Sequence, residues 1–247
     1  MLDTLRRPRW AIASLVVILV ATGFVGLGFW QLDRLEQRRS ENALQESRLQ
    51  MDPVPLDELM GAVEPSDLTE IEYRIATVDG VFDPLEEVLI RSQVELGQAG
   101  FHVITPLVTN DGAAVLVNRG WVPLVMDAPP VSAAPPEGEV SIDGWIHLSQ
   151  TRPPLGAEEP PGDLEVLNRV DVDRIAEQMP YELESVYLVE LGEGGDELPI
   201  AADPPDFSDE GPHLAYAIQW FGFAAVGLVG LFFLLRRQGK DAGRDQA

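Results

Sequence analysis

Gly211-Pro212-His213-Leu214-Ala215-Tyr216-Ala217-Ile218-Gln219-Trp220-Phe221 opens a stretch that runs on through apolar residues to Leu235. From Leu214 to Leu235 there are 22 residues without a charge, and about 20 such residues, at roughly 1.5 Å each, cross a bilayer core of about 30 Å. The stretch therefore reads as a membrane span. His213, Tyr216, Gln219 and Trp220 follow one another at helical spacing at its entry, so His213, Tyr216 and Trp220 share a face of the first two turns.

Working outward, a second apolar run lies at the start, from Trp10 to Leu32, behind Arg6, Arg7 and Arg9. A secretory signal has the same charge order, but its apolar region is typically about 7–15 residues. This run is longer, so it reads as a retained first span. Two spans put both termini on one side of the membrane. Arg236, Arg237, Lys240 and Arg244 follow the second span, whereas the nearest basic residue before it is Arg174. Positive charge near span ends marks the cytoplasmic side, so both termini are expected in the cytoplasm and the middle outside, in a multi-pass protein of the cell (plasma) membrane. The expected organisation is a cytoplasmic N-terminus (1–9), a first span (10–32), a helical stalk (33–50), an extracytoplasmic domain (51–212), a second span (213–235) and a cytoplasmic tail (236–247).

The 247 residues contain no Cys, which removes disulfides, thiolate metal sites, paired-cysteine copper delivery and cysteine nucleophiles. Of the formal charge of −24, the acid sits in the middle: residues 33–212 carry 10 Arg against 38 Asp and Glu. Such a surface disfavours nucleic acid and anionic headgroups, so the expected surroundings are membrane lipid and no nucleic acid.

After the stalk, which lacks Gly and Pro until Asp52-Pro53, the hydrophobic period changes to two. Strands are expected at Tyr73 to Phe82, Glu87 to Gln93, Phe101 to Thr109, Ala113 to Val122, Glu139 to Leu148, Leu164 to Val170 and Ser185 to Leu191, with a short helix capped by Asp171 and ended by Pro180. Asn110-Asp111-Gly112 between two β-branched runs is a hairpin signal. Residues 127–138 and 152–163 are proline-rich and read as unpacked connections. The fold class is thus a membrane protein with two transmembrane α-helices flanking a mainly antiparallel β (α+β) extracytoplasmic domain, of sandwich or small-barrel type.

No nucleophile elbow, metalloprotease helix, phosphate loop or dinucleotide fingerprint occurs, so no enzyme is expected. His102 and His147 fall within strands and read as structural. His213, at the mouth of a span, has two readings: a haem-iron ligand against apolar and aromatic side chains, or an interfacial residue in a Tyr and Trp belt. Trp30 and Gln31 lie at the same level of the first span and are expected opposite His213, Tyr216, Gln219 and Trp220. Gly23, Gly26 and Gly28, with Gly222, Gly227 and Gly230, offer small faces through which the spans could pack.

Five stretches, in order, carry a resemblance: LGFWQLDRLEQR (27–38), EYRIATVDGVFDPLEEVLIRSQ (72–93), GFHVITPLVTNDGAAVLVNRGWVP (100–123), DGWIH (143–147) and HLAYAIQWFGFA (213–224). With the two flanking spans, the set resembles bacterial members of the Surfeit-locus family of cytochrome c oxidase assembly factors. The resemblance implies binding of haem a and help with its insertion into oxidase subunit I. Its implied partners are subunit I and the haem a synthesis machinery. It implies that His213 is the haem and metal ligand, with Tyr216, Gln219, Trp220, Trp30 and Gln31 around it. The alternative is a membrane chaperone that stabilises subunit I without binding haem.

Overall fold

The computed structural model describes residues 8–95, 97–151, 159–192 and 197–244. The chain forms two compact units, one of residues 1–44 and 206–247, the other of residues 45–205.

In the first unit, helix α1 (Pro8–Leu49) runs unbroken through the first apolar run and the charged stretch behind it, and continues to its end in the second unit. The returning helix is described under the site. Both have an apolar window fit to cross a bilayer, and only 17% and 11% of those windows are covered by protein. A core helix of a soluble protein would be covered on most sides; these are two membrane spans.

The second unit holds β1 (Val54–Pro55), α2 (Leu56–Gly61), β2 (Ile75–Phe82), β3 (Val88–Glu95), β4 (Gln98–Thr109), β5 (Ala114–Pro123), β6 (Glu139–Leu148), β7 (Val166–Leu167), α3 (Val172–Ala176) and β8 (Leu183–Glu190). Strands β2, β6, β8, β5 and β4 hydrogen-bond in that order, and β4 pairs back onto β2, which closes a small barrel. β3 leaves the ring with the first half of β4.

Most neighbours are antiparallel, and β4–β5 is the expected hairpin, closed by Thr109 N–H to Ala113 O at 2.9 Å. The expectation of antiparallel pairing fails at three places: β5–β8, β1–β2 and β3–β7 are parallel. β6 lies between β2 and β8, so the ring closes only when β8 runs alongside β5 in the same direction. The strand expected over Leu164 to Val170 is ordered as ladder only at Val166–Leu167.

Leu107, Val115, Val117, Ile146, Val186 and Leu188 fill the barrel. A second cluster, with Ile104, Leu116, Trp145, Tyr187 and Ile175, covers its outer wall. β5 is consequently buried at nine of its ten positions rather than at every second one. Residues 127–138 are not an unpacked connection. Val131 joins a third cluster with Leu89, Phe101, Val103 and Val122, and its N–H donates to Glu87 Oε1 at 2.8 Å.

The Asn118-Arg119-Gly120-Trp121 run explains itself here. Asn118 Oδ1 accepts from Gly120 N at 3.0 Å, and the Arg119 guanidinium lies buried against Glu87 at 3.4 Å. Trp121 forms a two-way bridge with Ile200, N to O at 2.7 Å and 2.8 Å. Gly120 sits at φ +120° with the Ile200 carbonyl where a Cβ would stand. Gly120→Ala is therefore expected to cost about 2–3 kcal/mol through strain and a broken bridge. That is a fall of roughly 5–10 °C in the melting temperature of the β unit, read by near-ultraviolet circular dichroism.

Candidate functional site

The site begins with two helices whose covered residues recur every seven positions. On α1 these are Ser14, Ala21, Gly28, Leu35 and Asn42. On the returning helix, α4 (His213–Arg244), Ala217 and Ala224 keep this spacing, and the next covered residue, Leu235, follows eleven positions later. A repeat of seven against the 3.6 residues of a helical turn is the spacing of a left-handed pair. Small residues along it let backbones approach in lipid, where hydrophobicity gives no drive for association. The glycine faces expected from the sequence contribute at one point only. The Phe221 ring occupies the space above Gly28, whereas a Cβ at Gly23, Gly26, Gly222, Gly227 or Gly230 would meet nothing within 4 Å.

The pairing is anchored outside the apolar zone. Arg39 donates through Nε and Nη2 to the two oxygens of Glu210 at 2.7 Å and 2.8 Å, a bidentate fork that holds the Glu210 carboxyl below its usual range. Asn42 Nδ2 donates to the carbonyls of Phe207 and Asp209 at 2.7 Å and 3.1 Å. Pro212 lacks an N–H and is tolerated immediately before the first helical residue, and its carbonyl accepts from Tyr216 N at 3.1 Å.

This arrangement sets His213 against α1. His213 Nδ1 lies 2.9 Å from Gln31 Oε1, partly buried. A carboxamide oxygen only accepts, so the proton sits on Nδ1 and the Nε2 lone pair is left for a ligand. Gly211, at φ +69°, has its missing Cβ position 3.5 Å from that Nε2, so a side chain there would lie in van der Waals contact with the ring. Two turns further in, Trp220 stacks on Phe24 with ring centres 5.4 Å apart, and Phe29 meets Phe221 edge-on at 5.4 Å.

The structure thus brings together His213 with Gln31, and Trp220 with α1, but not the whole expected set. Trp30 is 52% exposed, because two residues beyond Gly28 lie some 200° round the helix from the covered line. Tyr216 is 47% exposed and Gln219 is also exposed, flanking the seam rather than lining it. Phe24, Phe29 and Phe221 were missed. Their apolar character does not set them apart within a span; the spacing of Phe24 and Gln31, seven apart, was the available signal.

A family profile described as the SURF1 family matches residues 18–225. The chain belongs to the SURF1 family. An uncharacterized SURF1-like protein of Mycobacterium tuberculosis is 29% identical over 246 residues, covering 98% of this chain and 89% of that one. A SURF1-like protein of Monosiga brevicollis is 27% identical over 261 residues, covering 95% and 90%. Human Surfeit locus protein 1 is 35% identical over 124 residues, 44% of this chain and 40% of its own length. The SURF1 match takes in most of α1, the whole barrel and the first turns of α4, through residue 225.

The other two histidines lie on the outer wall of the barrel. His102 and His147 line one cleft, and burial pulls both below the ordinary 6.5. The unfolded chain takes up protons at these rings as pH falls through 6.5 while the folded chain resists. Their stabilising contribution is therefore full above about pH 6.5 and lost as pH falls toward the depressed values. Burial of Glu72 and Glu190 raises those carboxyls and acts in the opposite direction. The measurement that isolates the imidazoles is a difference: the stability of the parent relative to a His102→Gln/His147→Gln variant should fall between pH 7.5 and pH 5.

Proposed function

We propose that this protein is an assembly factor for a haem-copper cytochrome c oxidase, and that it holds haem a at His213 before the haem passes to subunit I. The observation that carries the reading is the Nδ1 contact of His213 to Gln31, which presents an uncommitted Nε2 at the mouth of a helix pair. Haem a is cargo here, and a neutral imidazole is a donor suited to its iron. Gln31 fixes the imidazole tautomer, as partners to the second nitrogen of a ligating histidine do. The Trp220–Phe24 stack offers an aromatic wall, and the exposed Tyr216 and Trp30 flank the opening on the lipid side. Release follows when ligands of the receiving subunit replace His213.

In this reading the protein is a multi-pass protein of the plasma membrane, with both termini in the cytoplasm and the β unit outside. It works beside subunit I and the haem a synthesis machinery, and bond-making chemistry is not its task.

The test is the optical spectrum of the full chain purified from cells that make haem a, together with the oxidase spectrum of a deletion strain. Co-purified haem and a deletion strain poor in a-type haem support the proposal. A normal oxidase in the deletion strain refutes an assembly role; colourless protein with a defective oxidase leaves the haem-free chaperone of subunit I in its place.

A further inference from the structure

On the outer wall of the barrel, a cleft of about 260 Å³ opens between β4, β5, β6 and β8. It does not belong to the helix pair, and its reading is independent of the one proposed for His213. Register explains its composition. Trp145 opposes Val189, which opposes Asn118, while His147 opposes Tyr187. His102, two positions before Ile104 on β4, points the same way as that residue. Side chains at alternate positions of four strands therefore share one face.

The hydrogen bonds among these residues leave donors over. Asn118 Nδ2 lies 3.2 Å from His102 Nδ1; the amide donates there, so a neutral His102 carries its proton on Nε2. The Tyr187 hydroxyl accepts from Gln150 Nε2 at 3.0 Å, and its own proton has no acceptor among the described residues. Trp145 is 2% exposed, and its Nε1–H has no partner among the described residues. A buried N–H left without an acceptor costs about 1–3 kcal/mol, and an indole can only donate.

The charges around the cleft are acidic. Glu72 Oε1 is 3.7 Å from His147 Nδ1, and Asp203 lines the rim. An anion is therefore disfavoured, although donors abound. The walls are flat: His147 stacks on Tyr187 with 11° between the planes. The volume falls just under the roughly 300–1,000 Å³ of drug-sized pockets and suits one or two fused rings.

We propose that this cleft binds a small, flat, uncharged ring carrying carbonyl oxygens, to which the Trp145 indole, the His102 Nε2–H and the Tyr187 hydroxyl donate. The burial that keeps both histidines neutral agrees with an uncharged ligand.

The test uses the full chain in detergent micelles with ¹⁵N-labelled tryptophan. Five tryptophans give five indole signals, and Trp145→Phe assigns one of them. Trp10, Trp30 and Trp220, in the spans, report partitioning of a probe into the micelle. On titration with 1,4-naphthoquinone, the Trp145 signal should shift saturably. Naphthalene, which lacks the carbonyls, and 2-naphthoate, which is charged, should leave it in place. Tyr187→Phe keeps the ring and removes one donor, and should weaken the quinone by about fivefold, the worth of one hydrogen bond. No saturable shift would mean a cleft that holds water only. An equal shift with naphthalene would mean apolar packing, and tighter binding of naphthoate an anion site; any of the three overturns the proposal, as does an unchanged affinity in Tyr187→Phe.

Discussion

His213→Ala should strip the haem absorbance from the purified protein, to less than about a tenth of the parent, while the protein stays in the membrane. Insertion depends on the uncharged run behind His213, which the substitution does not touch. Ligation, in the proposed function, depends on one nitrogen. Two companion variants separate ligation from damage to the helix pair. Gly211→Val leaves the imidazole in place but sets a side chain beside Nε2, at a backbone angle that valine resists, and should lose most of the pigment too. Gln31→Leu removes only the acceptor that fixes the tautomer, and should weaken retention by about 10–100-fold, the usual effect of losing a partner to a ligating histidine. Haem content unchanged in His213→Ala would reject the ligand role outright.

The second large effect is expected far from that histidine. Glu87 is 1% exposed and Arg119 5% at the side chain. Glu87 accepts from the Thr105 hydroxyl at 2.7 Å, the Val131 N–H at 2.8 Å and Arg119 Nη1 at 3.4 Å. Arg119 Nη2 donates to the Ala133 carbonyl at 2.9 Å, and its guanidinium lies over the Phe82 ring at 5.7 Å. Burial draws the guanidinium down from its ordinary value and Glu87 resists. Glu87→Ala leaves that buried cation without its carboxylate partner, which costs about 3–5 kcal/mol. The melting temperature of the β unit should fall by roughly 6–20 °C. Glu87→Gln keeps acceptor oxygen for Val131 or Thr105 and should cost less. A loss below about 1 kcal/mol in Glu87→Ala would show that water reaches the pair. Arg119 is thus a structural cation.

Much of the architecture was legible one residue at a time. Hydropathy and length mark both spans, because lipid forces every backbone polar group into a helix and leaves side chains to declare the rest. Asp171, which accepts from Arg174 N at 3.2 Å, and the Asn110-Asp111-Gly112 turn act through neighbours in sequence and were read correctly. His213 stood out because a polar ring at the mouth of a span is uncommon.

What stayed hidden depends on partners far along the chain. Trp30 and Gln31 are adjacent letters, yet one turns outward and the other meets His213 182 residues away, and only the rotation of the two helices about their shared seam decides which. The parallel β5–β8 pairing follows from closure of the ring, which no local pattern encodes. Val131 lies in a proline-rich stretch that looks like solvent-facing loop, but a buried carboxylate needed its N–H. The amino-acid sequence by itself determined that this chain crosses a membrane twice around a β unit, since those choices rest on local hydrophobicity and turn chemistry. The tertiary structure alone decided which polar groups face each other, because a buried donor takes whichever acceptor the packing brings within reach.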